Sequence, residues 1–453
     1  MQFSRELILQ QAPDDASAKA AQGLRNVAKW QSLGANELAL WGECKGSGSK
    51  PYQVQIDLSA LAFKCSCPSR KFPCKHGLAL ALIRAEQSSA FTDAELPVWV
   101  GEWLEGRQQR AEKQEQKKAT ATARKSPEDA ALPTKRLERM AAGLDELERW
   151  LQDQVAQGLA GLLGNEGALE RLAARMIDAQ LPGVAYRLRQ LAGVPGSGMI
   201  DGVDWPLRLL GAFGRLQLMI DGFRRFDSLP PDARADLSQA LGLPLSKDEV
   251  LGQGELCRDE WQVLGQRVEE EERLWLRRVW LLGLNTGRVA LVQDFAHGSQ
   301  RFEQVFLTGS VIAAELAFYP GAHPQRALLT NSPELRERAI EAPPSPVRVA
   351  LAELAAALAA NPWQPLRPLR VDDGVPERTP DHGWVLRVPG QDADGAMPLR
   401  LDERDGWVLC ALAGGRPLRL FGEWHLGVDG CHLRPLTAWQ ERALVWAVQE
   451  NAE

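Results

Sequence analysis

The sequence predicts an α+β chain of several domains: a small N-terminal ββα unit, a central α-helical region and a C-terminal β-rich region with interspersed helices. Three observations carry that reading. The chain has 453 residues, more than one ordinary domain accommodates. Between residues 135 and 255 apolar side chains recur at spacings of three and four, whereas from Trp261 onward they come in short runs separated by glycine-containing turns. Residues 105–134 carry few apolar side chains and are rich in Lys, Arg, Gln, Ala and Thr, so they bury too little surface to offset their ordering entropy. The expected division is therefore an N-terminal domain over 1–104, a basic polar linker over 105–134, a helical domain over 135–255 and a β-rich domain over 256–453.

In the first domain, Asp14 and Asp15 are suited to cap a helix running through Gln22 to Trp30. Residues Glu37 to Trp41 read as a strand, Cys44 to Pro51 as a turn, and Tyr52 to Leu58 as a second strand with Tyr52, Val54, Ile56 and Leu58 alternating. Gly77 to Glu86 has no breaker and suits a helix. After the linker, Thr134 can cap a helix whose Leu137, Met140, Leu144, Leu147 and Leu151 form one stripe. Two heptads are too few for a coiled coil, so the stripe is expected to face a core. Helical patterns continue over Leu169 to Asp178 and Trp205 to Phe226. Leu274 to Gly283 and Val289 to Phe295 flank Leu284-Asn-Thr-Gly-Arg288 and read as a hairpin. Further strands are expected at Trp384–Val388, Pro398–Leu401, Trp407–Leu412 and Pro417–Phe421. A helix is expected near Val347 to Ala360 and a last one after Thr437.

With 45% apolar and 25% charged residues, the composition is that of a globular protein with real cores. A net charge of −6 argues against wholesale wrapping in nucleic acid, and any such contact would have to be local. There is no run of about 18 apolar residues for a membrane span, and the N-terminal apolar run is too short for a secretory signal. Seven cysteines, three of them within ten residues, read as a metal site in a reducing cytoplasmic setting rather than a disulfide framework.

The chemistry concentrates in Phe63-Lys-Cys65-Ser-Cys67-Pro-Ser-Arg-Lys-Phe-Pro-Cys74-Lys-His76-Gly-Leu. Three thiolates and one imidazole make the soft, closed, four-ligand set that structural zinc sites use. On an extended segment Cys65 and Cys67 project to one side, and Pro68 and Pro73 stiffen the loop that returns Cys74 and His76. Four protein ligands leave no open position for a reactive water, so the expected ion is one structural zinc rather than a catalytic one.

The order C-x-C, spacer, C-x-H, with strands before and a helix after, resembles the SWIM zinc-finger family. Trp41-Gly-Glu-Cys44, Lys50-Pro-Tyr52 and Cys74-Lys-His76-Gly77 carry the resemblance over about residues 38–86. It implies that Cys65, Cys67, Cys74 and His76 are the ligands. The layout of the whole chain is also similar to bacterial SWIM zinc-finger family proteins, often encoded beside a MoxR-type AAA ATPase and a von Willebrand factor A protein. That resemblance implies partners of those kinds.

Lys64, Arg70, Lys71 and Lys75 surround the ligands with no acid between Lys64 and His76. They suit a phosphate-contacting patch with Phe72 free to stack on a base, or a solvated loop whose charges favour the thiolates. Other motifs fail. Gly46-Ser-Gly-Ser-Lys50 lacks the Gly-Lys step of a phosphate loop. Cys410, His425, Cys431 and His432 fit no metal spacing, and Glu269 to Glu272 reads as a solvated face. No acid/base pair, nucleophile arrangement or dinucleotide fingerprint is present in its required context. The expected function is a non-enzymatic, zinc-stabilised scaffold in which finger and linker contact a protein partner. The alternative is nucleic-acid binding through the basic finger.

Overall fold

The structure is a computed structural model. It describes residues 5–448 other than 10–11, 13–14, 47–49, 59–61, 70, 94, 108, 110–133, 166, 201–202, 244, 272–273, 298–301, 303, 337–344, 365, 381–382, 389–395 and 441–442. Arg70 and nearly all of the expected linker lie outside the described residues.

Two short helices, α1 (Arg5–Leu9) and α2 (Asp15–Gly23), precede a sheet of β1 (Trp30–Ala35), β2 (Ala39–Cys44), β3 (Tyr52–Asp57), β4 (Ala62–Cys65) and β5 (Thr92–Asp93), in the order β4-β3-β2-β1-β5. The α2 helix stops at Gly23 instead of reaching Trp30. Trp30 instead opens β1 and donates its indole N–H to Leu24 O at 3.0 Å. Helix α3 (Lys75–Glu86) buries the whole run His76–Ile83, which explains why it is apolar all round rather than amphipathic. Its core joins Leu40, Val54, Ile56, Leu78 and Leu82 with Val305 and Leu307 from far along the chain, so the N-terminal domain is docked on the C-terminal half. Residues 98–107 form α4, which places Val100 against Ala39 and Trp41 and ties Arg107 to Asp57 at 3.1 Å.

The helical region comprises α5 (Thr134–Gln157), α6 (Gly167–Asp178), α7 (Pro182–Gln190), a ribbon of β6 (Met199–Ile200) and β7 (Val203–Asp204), then α8 (Trp205–Arg224), α9 (Pro231–Leu241) and α10 (Lys247–Gln253). The predicted stripe faces the core: Met140, Leu144, Leu147 and Leu151 are buried against Leu172, Met176, Leu216 and Met219. Gly242, at φ +85°, ends α9 in the left-handed conformation that suits glycine at a helix C-terminus.

The C-terminal half holds two six-stranded sheets. The first is built from β8 (Glu255–Glu271), β9 (Leu274–Gly283), β10 (Val289–His297), β11 (Val311–Phe318), β12 (Arg326–Leu329) and β13 (Glu334–Arg336), in the order β12-β10-β9-β8-β11-β13. Because β12 also pairs with β11, the run β10-β9-β8-β11-β12 closes into a ring around Trp261, Leu281, Leu316 and Phe318. The predicted β9–β10 hairpin is present. Its turn is tied to Asp259, whose carboxylate accepts from the backbone N–H groups of Asn285 and Thr286 and from both their side chains.

After α11 (Val347–Ala360) comes the second sheet: β14 (Leu366–Thr379), β15 (Gly383–Arg387), β16 (Met397–Pro398), β17 (Leu418–Gly427), β18 (Gly430–Gln440) and β19 (Ala443–Ala447), with α12 (Glu403–Ala413) inserted before β17. Two expectations are corrected here. The run Trp407–Leu412 lies in α12 and is not a strand. Asp402 caps that helix by accepting from Asp405 N, Glu403 and Asp405 sit in its first turn, and Gly414 at φ +54° ends it. The segment after Thr437 is not a helix but the β18–β19 hairpin, in which Ala438 faces Trp446.

The two sheets are bolted together by a small apolar cluster of Leu264, Trp280, Phe421 and Leu436 and by a buried charge network. Glu423, fully buried, accepts from Arg278 Nε at 2.8 Å and from the Trp280 indole at 2.9 Å. Arg278 also reaches Glu269 at 2.7 Å, and Arg434 reaches it at 3.0 Å. The acidic run is thus not simply a solvated face: Glu270 is exposed, while Glu269 is held in the network.

Candidate metal centre

The pairing of β3 with β4 sets Val54 opposite Cys65 and continues one residue further, where Ser66 N donates to Gln53 O at 3.0 Å and Ser66 Oγ accepts from Gln53 N at 2.9 Å. Ser66 is thereby turned toward β3, and Cys65 and Cys67 share the other side. The loop then turns at Ser69, whose hydroxyl accepts from Lys71 N. Cys74 is the N-terminal cap residue of α3, and His76 is the second residue inside that helix. Two elements with independent reasons to form therefore deliver two ligands each.

The four donor atoms all lie within 4.8 Å of one another, and Cys65 Sγ and Cys74 Sγ each stand 3.9 Å from His76 Nδ1. A tetrahedral zinc ion with bonds of about 2.0–2.3 Å has ligand–ligand edges of about 3.5–3.8 Å, so the quartet fits with small inward shifts. The electrostatics ask for a cation. Hydrogen bonds among the crowded thiols push Cys65 up and Cys67 down. Burial works against a charged His76, yet its hydrogen bonds to Cys67 and Cys74 prevail and raise it to about 9. The N-terminus of α3 adds a positive dipole end at Cys74. Zinc binds here through Cys65, Cys67, Cys74 and His76 as a single ion.

The supporting residues are legible in the packing. The Tyr52 ring sits 5.0 Å from that of His76, and Phe63 meets Phe72 edge-on at 6.5 Å. A Cβ on Gly77 would come within 2.9 Å of Phe63, so a side chain there would push on the ring behind β4. Cys44 is buried beside the site, its thiol pushed up by that burial, and is not one of the four.

Lys64, Lys71 and Lys75 are exposed around the site, whereas Phe72 packs against the finger's core rather than standing free as a stacking platform. Lys45, Lys71 and Lys75 line one cleft of about 570 Å³ reaching Cys67 and His76, and Lys64 and Lys71 line a smaller one on the Cys65 and Cys74 side. Lys45, brought in from the end of β2, was not visible in the sequence as part of this group. The other cysteine–histidine set does not assemble. His425 and His432 stack across β17 and β18 at 5.0 Å, but Cys410 donates to Pro376 O on β14. Among the described residues the only metal-competent group of three or more is the finger quartet.

Fold and site together define a protein with a structural zinc finger joined to a helical bundle. Residues 52–85 match the SWIM zinc finger, and residues 135–241 match the SWIM-associated four-helix bundle domain. Over those two stretches the chain is similar to SWIM zinc-finger family proteins. No curated protein and no solved structure matches it. The finger match covers β3, β4 and α3 exactly as the ligand geometry requires, and the bundle match covers α5 through α9. No helix among the described residues is long and apolar enough to cross a membrane.

Proposed function

We propose that this chain is a non-enzymatic, zinc-stabilised scaffold whose finger receives an acidic segment of a protein partner. The observation that carries the reading is the cleft beside the metal centre: among the described residues its lining includes Lys45, Lys71 and Lys75 and no acid, on a chain whose net charge is −6. A cleft of this size suits one or two carboxylate side chains rather than a continuous phosphate backbone. The closed four-ligand set supports a structural role for the ion. The acidic whole molecule disfavours nucleic acid beyond the finger. By family resemblance, the partner belongs with MoxR-type AAA ATPases or von Willebrand factor A proteins, and the setting is the bacterial cytoplasm.

Nucleic-acid binding by Lys64, Lys71 and Lys75 is the competing reading, since the same lysines would release counterions from phosphates. One experiment separates the two. Binding of an aspartate- and glutamate-rich peptide and of short single- and double-stranded oligonucleotides is measured near 0.15 M salt, about the physiological ionic strength. Peptide binding that is lost in Lys71→Ala/Lys75→Ala, with feeble oligonucleotide binding, is the expected result. Tight oligonucleotide binding that collapses in that variant would replace this reading with the nucleic-acid one.

A further inference from the structure

Of the four zinc ligands, only His76 has a second polar atom to place. Its Nδ1 is the nitrogen that faces the sulfurs, 3.9 Å from Cys65 Sγ and from Cys74 Sγ. With the ion on Nδ1, the imidazole proton sits on Nε2, at the opposite side of the ring. In zinc sites that second nitrogen almost always donates to a carboxylate, a backbone carbonyl or a water, which orients the ring and makes the ligating nitrogen more basic. Here no group among the described residues accepts from His76 Nε2. His76 is only 5% exposed, yet its Nε2 is not among the unpartnered atoms sealed inside the chain, so it opens to solvent. The opening is the cleft of about 570 Å³ that His76 lines together with Lys45, Lys75 and Tyr52.

The surroundings hold the ring and select the charge of what meets it. Tyr52 packs on the imidazole at 5.0 Å. Gly46, a wall of the same cleft, lies so near that a Cβ there would come within 2.6 Å of the Tyr52 ring, so the turn after β2 backs the tyrosine. Lys75, beside His76 in the first turn of α3, and Lys45 bring two exposed ammonium groups to the cleft. A backbone carbonyl or a water would satisfy the N–H and leave those cations unmatched. A carboxylate satisfies both, since it only accepts and carries the opposite charge.

We propose that the partner completes the zinc site: a carboxylate of its acidic segment enters the cleft and accepts a hydrogen bond from His76 Nε2–H. The inference rests on the reading of the finger as a receiver of an acidic protein segment. It adds that zinc and partner strengthen each other's binding, because any preference of the carboxylate for the zinc-loaded ring is returned equally as affinity for zinc.

The test uses the full zinc-loaded chain and the aspartate- and glutamate-rich peptide. Zinc affinity is measured by competition with a chelator, with and without saturating peptide. The peptide should raise it at least about tenfold, the size of effect that such outer hydrogen-bond partners have on metal affinity. His76→Cys keeps four ligands but has no ring N–H. It should bind the peptide through the lysines at least about tenfold more weakly than wild type, and its zinc affinity should no longer respond to the peptide. Lys75→Ala is the counterpart: it should need more peptide yet keep the zinc response at saturation. Should His76→Cys fail to hold zinc, wild type alone decides. The chain has six histidines, and with their rings labelled with nitrogen-15 the one zinc-dependent N–H resonance should move downfield and exchange more slowly with water when peptide saturates. A chain that binds the peptide while its zinc affinity and that resonance stay unchanged would overturn the inference and leave the proposed function standing. A chain that does not bind the peptide at all would overturn both.

Discussion

His76 shows how much one side chain carries in this molecule. It is a ligand, it lies in the first turn of α3, and its ring rests on Tyr52 at 5.0 Å. The His76→Ala chain keeps three thiols around an incomplete site and should lose zinc. His76→Cys preserves a four-ligand set of the kind structural zinc accepts and should keep close to one equivalent, measured by elemental analysis of metal retained after dialysis. The lysines of the cleft are untouched by that exchange, so partner binding should survive it in weakened form. At Gly77 the expected effect is purely steric. Gly77→Ala sets a methyl against Phe63 at 2.9 Å and should cost about 1–3 kcal/mol of finger stability without removing a ligand. Thermal melts of the zinc-loaded chain would register it as a lowered transition with unchanged zinc content.

The ligands were legible in the sequence because metal chemistry depends on residue type and short spacing, both of which a chain displays directly. Lys45 was not, because a strand pairing brings it to the cleft: β2 runs antiparallel to β3, which sets Cys44 opposite Tyr52, with Lys45 one residue beyond the pair.

At the scale of elements, the junction of the two C-terminal sheets has a pH response that follows from its geometry. His432 stacks on His425 and is surrounded by Asp429, Arg400 and Arg434; burial first, and the neighbouring His425 second, hold it down at about 4. The unfolded chain takes up a proton near the ordinary value of 6.5, which the folded chain refuses until about 4. Stability contributed here is therefore complete above pH 6.5 and falls as pH drops toward 4. Denaturant midpoints at pH 7 and pH 5 should separate for wild type and draw together in His432→Gln. Glu423 adds a second window. Burial would raise it, but Arg278, the Trp280 indole and His425 nearby hold it at about 2, so its contribution is lost between about pH 4.5 and 2. His425 stands 3.9 Å from that carboxylate, too long for a hydrogen bond. Glu423→Gln leaves Arg278 buried without its main counter-charge and should cost about 3–5 kcal/mol, read from denaturant unfolding at neutral pH.

Elements were legible where the period was clean and bounded. The stripe from Met140 to Leu151 and the hairpin around Asn285 are of that kind. They failed where an apolar run was too short to show a period. Trp407–Leu412 reads equally as strand or helix, and only the cap at Asp402 and the left-handed Gly414 decide it. The long strand β14 was hidden by Pro368, Pro376 and the Asp-Asp-Gly step at 372–374, where its pairing with β17 shifts register.

Over the whole molecule, the zinc finger is not an appendage on a linker. The composition shift near residue 105 sets the finger apart from the rest of the chain in sequence, yet Val305 and Leu307, just before β11, are part of the finger's own core. A sequence shows no such contact, because it joins segments more than two hundred residues apart that share no pattern. The consequence is a specific coupling. Because metal binding and folding of a small domain are linked, removing zinc with a chelator, or by Cys74→Ser, should expose the N-terminal domain to amide exchange and also deprotect residues 305–307. The β-ring behind them is held by Trp261 and Phe318 and should remain protected, as should the bundle core around Leu144 and Met219. Leu307→Ala tests the same joint from the other side. It removes a buried side chain from the finger's core, with an expected loss of about 2–5 kcal/mol shared between finger stability and docking. Its zinc affinity should fall even though no ligand is touched. Hydrogen exchange that changed only before residue 105 on zinc removal would show instead that the finger folds and melts without reference to the rest of the chain.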